Sequence, residues 1–143
     1  MSEHHTTNDQ QASGDIDAFL SSGPFAVVGA STNRDKYGNK VLRAYLQNDK
    51  PVLAINPRAD EIEGVTSYAS LSDLPEVPHG ISIITPPAIT EKVIDEVIAL
   101  GIKHIWMQPG AEHDGAIERA LAAGVNVIGH GPCALVVMGY SER

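Results

Sequence analysis

The sequence predicts an α/β domain with a parallel sheet covered by helices on both faces. Three observations carry that expectation. Short apolar runs such as Phe25-Ala26-Val27-Val28 alternate with stretches of helical period, and strands without a polar face need cover on both sides. Each main run stops abruptly in small or rigid residues: Gly29-Ala30-Ser31, Asn56-Pro57-Arg58, Thr85-Pro86-Pro87, Gln108-Pro109-Gly110 and Gly131-Pro132-Cys133. At 143 residues the chain is one domain, long enough for a single sizeable core.

The elements follow in order. Residues 1–14 are polar and have almost nothing to bury, so they are expected to be a disordered tail. Two adjacent histidines there, His4 and His5, make no defined metal site. Asp15 reads as the cap of a short helix carrying Ile16, Phe19 and Leu20. After the first strand, Tyr37, Val41, Leu42, Tyr45 and Leu46 fall on one helical face. Pro51 to Ile55 is the second strand, Val65 to Tyr68 a short edge strand, and Leu71 to Leu74 a helical turn. Gly80 to Ile84 precedes a helix with Ile89, Val93, Ile94, Val97 and Ile98 on one face and Gly101 as its stop. Lys103 to Met107 is a strand in which Trp106 and Met107 are core residues. A helix over Asp114 to Ala123 ends at Gly124, and Val125 to Ile128 is the last strand. No internal repeat or linker interrupts residues 15–143, which makes them one domain.

Composition excludes several classes. No apolar run approaches 18 residues and no signal-peptide pattern is present, so a soluble, non-exported protein is expected, with no membrane partner. A single cysteine fits a reducing, cytoplasmic setting. Ten basic against eighteen acidic residues give a net charge of −8, which argues against nucleic acid as a partner. Yet six basic residues and only two acidic ones lie between Arg34 and Arg58. Lys40, Arg43 and Lys50 read as scattered surface charges. Arg34, Lys36 and Arg58 fall in loops after strands and suit a small anionic ligand.

In an open parallel sheet the ligand lies beyond the carboxyl ends of the strands, where the strand order reverses. Short βα loops need no prolines, so five small or rigid ends on one edge mark a ligand crevice. Gly29 is followed by no glycine until Gly38, and the three-glycine dinucleotide fingerprint is absent. The loop from Ser31 to Tyr37 is wider and suits a diphosphate carried on something other than a compact dinucleotide. If the backbone at Gly29 touches the ligand, Gly29→Val is expected to abolish binding without unfolding the protein. The second strand ends in Asn56-Pro57-Arg58, where an NAD-binding fold has a carboxylate for the ribose. An arginine instead suits a ribose bearing a phosphate, the 2′-phosphate of NADP or the 3′-phosphate of coenzyme A. These residues leave both open.

The same segments, with Lys36-Tyr37-Gly38-Asn39 and Trp106-Met107-Gln108-Pro109-Gly110-Ala111, resemble those of the small stand-alone CoA-binding proteins. That family is similar to the N-terminal domain of the succinyl-CoA synthetase alpha subunit. The resemblance covers roughly Phe25 to Val137. It implies a Rossmann-like, doubly wound parallel sheet of strand order 3-2-1-4-5-6 with a short third strand. It also implies coenzyme A or acyl-CoA as the ligand. By position, the family's ligand groups fall at Gly29, Ala30 and Ser31, at Asn56, Pro57 and Arg58, and at Thr85, Pro86 and Pro87; Gln108 and Gly110 stand at a further strand end on the same edge. The ligase has a lysine at the second position; here Arg58 serves, or Arg34 and Lys36 from the first loop. The ligase's second half, with its phosphorylated histidine, has no counterpart.

No catalytic constellation stands out. Asp114 reads as a helix N-cap, and His130 as a loop histidine bonded to backbone. Cys133 falls at the start of a terminal helix, where the dipole favours a thiolate. It reads either as a neighbour of the CoA thiol, able to form a mixed disulfide, or as a small residue packing the last helix. The expectation is a non-catalytic sensor or carrier of CoA or acyl-CoA. The alternatives are an NADP-binding module working with a separate partner protein, and an interaction subunit that has lost its ligand.

Overall fold

In the computed structural model, which describes residues 14–142, seven strands form one twisted layer between two sets of helices. In chain order the elements are α1 (Ile16–Leu20), β1 (Phe25–Val28), α2 (Tyr37–Gln47), β2 (Val52–Ile55), β3 (Glu61–Ile62), β4 (Val65–Tyr68), a 3₁₀ turn (Leu71–Asp73), β5 (Gly80–Ile83), α3 (Pro87–Leu100), β6 (His104–Met107), α4 (Asp114–Ala122), β7 (Asn126–Ile128) and α5 (Ala134–Val137). The sheet order is β3-β4-β2-β1-β5-β6-β7. All pairings are parallel except β3 with β4. Counting the parallel strands alone gives 3-2-1-4-5-6, the Rossmann-like order the sequence implied.

Most of the polar tail, His4 and His5 included, lies outside the described residues. Gly14 does not: its φ is +49°, and a Cβ there would stand 2.2 Å from the Val127 carbonyl oxygen. The chain is therefore packed against β7 one residue before the expected boundary.

Alternation within each strand supplies two cores. Ala26, Val28, Ile81, Ile83, Ile105 and Met107 face α3 and α4, meeting Val93, Ile94, Val97 and Ala116. Phe25, Val27, Val52, Ala54, Trp106 and Ile128 face α1, α2 and α5, meeting Phe19, Val41, Leu42 and Tyr45. Each fully buried large aliphatic or aromatic side chain contributes about 1.5–3 kcal/mol. β1, at the centre of the sheet, is buried along its whole length.

Three expectations need correcting here. Val65–Tyr68 is not the sheet edge, because β3 pairs outside it. Glu63 and Gly64 have φ of 50° and 82°, the left-handed pair that a two-residue hairpin requires; a two-residue strand carries too little period to be read. Arg43 is not a surface charge but 5% exposed. Its Nε donates to Asn39 Oδ1 (2.6 Å) and its Nη2 to the Arg34 carbonyl (2.7 Å). The C-terminal segment covers this side of α2, pairing Gln47 with the backbone of Ser141 in both directions and stacking Tyr140 on the guanidinium. Asp114 is not the cap of α4: His113 is, its Nδ1 accepting the Ala116 N–H at 3.0 Å. The other boundaries hold to within one residue, with Asp15 Oδ1 capping α1 at the Ala18 N–H and Gly101 ending α3 at φ 75°.

One polar bond crosses the core. Tyr45 OH and Ser82 Oγ are 2.7 Å apart, and both residues are fully buried. Burial pushes the phenol well above its usual range, and the serine partially offsets this. Tyr45→Phe strands the Ser82 hydroxyl and is expected to cost about 1–3 kcal/mol in denaturant unfolding. The double variant with Ser82→Ala should recover part of that loss; purely additive losses would show that the bond contributes nothing.

At the amino edge, His79 and His104 stack with ring centroids 4.3 Å apart. His79 Nε2 donates to the Ala18 carbonyl (3.1 Å), and Asn126 Nδ2 donates to His104 Nδ1 (3.0 Å) and to the Asp15 carbonyl (2.8 Å). These bonds seat α1. Burial and then the charge of His79 hold His104 below its usual value, while Asp15 opposes them. A depressed folded pKa means that the unfolded chain binds the proton more readily. The neutral ring's stability is therefore present above the unfolded value and lost as pH falls through the folded one. Unfolding free energy should fall from about pH 7.5 to 5.5, with a shallower slope in His104→Gln. Parallel slopes would remove His104 from the account.

Candidate functional site

The carboxyl ends of β1, β2 and β5 and the first turns of α2 and α3 enclose two neighbouring cavities. The larger, of about 380 Å³, has Val28, Gly29, Ala30 and the segment from Ile55 to Arg58 on one side, with Leu71, Thr85, Ile89, Val93 and Glu96 on the other. The smaller, of about 260 Å³, lies among Tyr37, Thr85, Pro86, Pro109 and Gly110. Thr85 belongs to both, so they form one line along the crevice edge. Their volumes fall in or just below the range of small-molecule sites.

Main-chain geometry sets the crevice. Gly29 has φ +96°, and a Cβ there would meet the Ile84 carbonyl oxygen at 2.1 Å. Gly38 packs as tightly, its Cβ position 2.0 Å from the Gly29 carbonyl oxygen. Gly29→Val would therefore drive a side chain into the end of β5 in a backbone conformation that valine disfavours. The expectation that this variant loses only ligand is overturned: Gly29 is required by the fold as well.

Asn56 fixes the second strand end. Its Nδ2 donates to the Ala30 carbonyl (2.9 Å) and its Oδ1 accepts the Arg58 N–H (2.7 Å). One amide thus ties the first turn to the second and points the Arg58 segment along the larger cavity, where Arg58 is exposed.

The remaining candidates are distributed unevenly. Gly29, Ala30, Asn56, Pro57, Arg58 and Thr85 line the larger cavity; Thr85, Pro86 and Gly110 line the smaller. Ser31 shapes the loop, its Oγ accepting the Asn33 N–H (3.0 Å) and its carbonyl accepting from Asn39 Nδ2 (2.8 Å). Pro87 is the first residue of α3. Lys36 is exposed at the N-cap of α2. Arg34 reaches across to the Glu63 carboxylate in the β3–β4 turn; the Asn39 bond first, then Arg34, hold that carboxyl below its usual range. Neither Arg34 nor Lys36 stands among the cavity-lining residues.

Gln108 and Cys133 meet through a residue the sequence reading placed on a helix face. Tyr37 OH donates to Cys133 Sγ and lies 3.1 Å from Gln108 Oε1, which also accepts the Ala134 N–H at 2.8 Å. Burial, with the Cys133 contact behind it, pushes the Tyr37 hydroxyl above its usual range. Gln108 is fully buried, and its Nε2 has no hydrogen-bond partner among the described residues. Cys133, half-buried, is the N-cap of α5 as expected. His130 departs from expectation: its Nε2 bonds the Asp114 carboxylate at 2.9 Å, not backbone.

The sequence reading missed Tyr37, Leu71, Ile89, Val93 and Glu96 as site residues. Ile89, Val93 and Glu96 stand at i, i+4 and i+7 of one helix and so share a face, but that spacing does not separate a cavity-lining residue from a core one.

Residues 24–139 match the family model described as a CoA binding domain. The chain belongs to the CoA-binding domain family. The ADP-forming acetate–CoA ligase I of Archaeoglobus fulgidus is 28% identical over 114 residues, which are 73% of this chain and 17% of the ligase. A conserved hypothetical protein of Pyrococcus furiosus has 39% identity and a TM-score of 0.74, over 79% of this chain and 97% of that one. The dinucleotide-forming acetyl-coenzyme A synthetase 1 of Ca. Korarchaeum cryptofilum, solved with phosphate and ADP, has 31% identity and a TM-score of 0.69, over 80% of this chain and 27% of the synthetase. This CoA-binding domain thus spans less than a third of either large enzyme. No helix among its described residues is long and apolar enough to cross a membrane.

Asn56→Ala removes both bridging bonds. Amide exchange at Arg58 should rise at least about tenfold, with about 1–3 kcal/mol lost from global stability. Unchanged exchange at Arg58 would show that the turn holds without the bridge.

Proposed function

We propose that this CoA-binding domain binds coenzyme A or its acyl thioesters in the two-cavity crevice and acts as a sensor or carrier, without turning the ligand over. The supporting observation is the match between the crevice and the shape of that ligand. Its larger part is apolar with a guanidinium at the lip, and its smaller part leads towards a tyrosine hydroxyl and a thiol. Coenzyme A has an aromatic base, a phosphorylated ribose, a diphosphate and a thiol-ended arm, and each has a chemically suitable counterpart along that line.

In this reading Arg58 takes the ribose 3′-phosphate, where a guanidinium forms charge-assisted and often bidentate bonds. Arg34 is the weaker candidate because Glu63 already holds it. In the turn at Gly29, Ala30 and Ser31 the Gly29 N–H is donated to the Ile55 carbonyl (3.3 Å), so the Ala30 and Ser31 N–H groups, together with the start of α2, are offered to the diphosphate, where the helix dipole favours an anion. Asn56 and Pro57 hold Arg58 in place, and Thr85, Pro86 and Pro87 wall the passage between the cavities. The arm ends near Gly110, Gln108 and Cys133. Acyl transfer or hydrolysis would need an acid–base group beside the thioester; the His130–Asp114 pair is instead joined at an exposed position after β7.

Calorimetry with CoA, 3′-dephospho-CoA and NADPH tests the reading. CoA should bind in the micromolar range, about −8 kcal/mol, and more tightly than NADPH. Arg58→Ala should weaken CoA by about 1.5–3 kcal/mol and 3′-dephospho-CoA much less. Equal losses would move the phosphate contact away from Arg58, and comparable NADPH binding would overturn the ligand assignment.

A further inference from the structure

Glu96 is a carboxylate on the wall of a cavity that is otherwise largely apolar. It sits on α3 one turn beyond Val93 and lines the larger cavity with Ile89, Val93, Leu71 and Ile55. A single oxygen, Oε2, accepts both the Ser72 N–H (3.2 Å) and the Ser72 hydroxyl (2.7 Å). These two bonds pin the side chain between α3 and the 3₁₀ turn. They orient the carboxylate and engage one of its two oxygens. The cavity therefore carries one cation, Arg58, and one anion, Glu96, on a mainly apolar lining.

A carboxylate accepts hydrogen bonds and donates none. Beside a planar aromatic group it favours a ring edge bearing an N–H donor. It penalises an edge bearing a carbonyl, because two acceptors would then face each other out of water. On the N7 side of its ring adenine presents such a donor in its exocyclic amine; hypoxanthine and guanine present only acceptors on that side, the C6 carbonyl and N7, because their N1–H lies on the opposite edge. We propose that Glu96 is the base-reading residue of the larger cavity, selecting adenine by accepting a hydrogen bond from the exocyclic amine. This inference rests on the CoA reading above and adds the residue that recognises the base. It also divides the labour in the cavity, with Arg58 answering to the phosphate and Glu96 to the base.

A purely mechanical role, fastening Ser72 to α3, is separable from base reading. Glu96→Gln retains an oxygen for Ser72 but turns the other end of the group into a donor. Affinities are measured by calorimetry for CoA and for its deaminated analogue, in which hypoxanthine replaces adenine, in both proteins. The wild type should prefer CoA by at least about tenfold, a typical loss when a charged acceptor is left facing another acceptor. Glu96→Gln should weaken CoA by a similar factor and bind the deaminated analogue as well as CoA or better, with an unchanged melting temperature in the absence of ligand. The same preference in both proteins, or none in the wild type, would leave Glu96 as a fastening alone and overturn the proposal while CoA binding stands. Failure of the wild type to bind either ligand would overturn the CoA reading and this inference together.

Discussion

Three main-chain segments meet at the carboxyl end of β1 with no room for a side chain between them. The Gly29 Cα faces the Ile84 carbonyl, and the Gly38 Cα faces the Gly29 carbonyl, each so closely that a methyl group would lie about 2 Å from the oxygen. Backbone contact at that range brings the first turn of α2 directly onto the sheet edge. Tyr37 consequently projects over the crevice, close enough for its hydroxyl to reach Gln108 and Cys133. The smaller cavity exists because α2 starts here. A helix held away by even one side chain would separate Tyr37 from both partners.

That contact also explains what could be read from residues alone. The parallel sheet was legible because β1, β2 and most of β5 and β6 are apolar on both faces, a pattern with few alternatives. The strand order followed from resemblance and was met strand for strand. The hairpin was not legible, since Glu61-Ile62 has no period, and its loss propagated. Its turn presents Glu63, which claims Arg34 and Asn39, so one group of the glycine loop and one in the first turn of α2 are committed to a neighbour the sequence did not announce. Arg43 was misread for a related reason. Its cover comes from residues about a hundred positions away, and local periodicity reports only what a helix does with its own faces.

Site residues were legible where backbone chemistry demanded a residue type and illegible where packing lent an ordinary side chain a second use. Gly29, Asn56 and Arg58 announce themselves at strand ends. Tyr37 and Val93 lie on the core-facing stripes of their helices, and nothing in the spacing distinguishes a stripe residue that meets the sheet from one that overhangs its edge. Glu96 precedes the stripe residue Val97 and reads as solvated until Ser72 is known to bind it. The His113 cap was missed because a histidine rarely serves where aspartate follows at once; here Asp114 is drawn off to His130, and the imidazole takes its place.

The densest ring packing and the cavities are placed at opposite ends of the same strands. The amino edge is packed with rings, Phe19, Phe25, His79 and His104 in mutual contact, and its polar groups are matched in α1. The carboxyl edge keeps a buried donor without a partner, Gln108 Nε2, at a cost of about 1–3 kcal/mol for such a group. An apolar residue of similar size would remove that cost. It would also remove Oε1, the atom that accepts the Ala134 N–H and stands 3.1 Å from the Tyr37 hydroxyl, and so joins α2 to the start of α5. The glutamine is retained because one half of its amide holds the wall of the smaller cavity, and the unmatched half is the consequence. Among the described residues this unmatched group stands at the crevice and not at the amino edge, and local inconsistencies of this kind gather at functional sites, which supports the crevice as the proposed binding face.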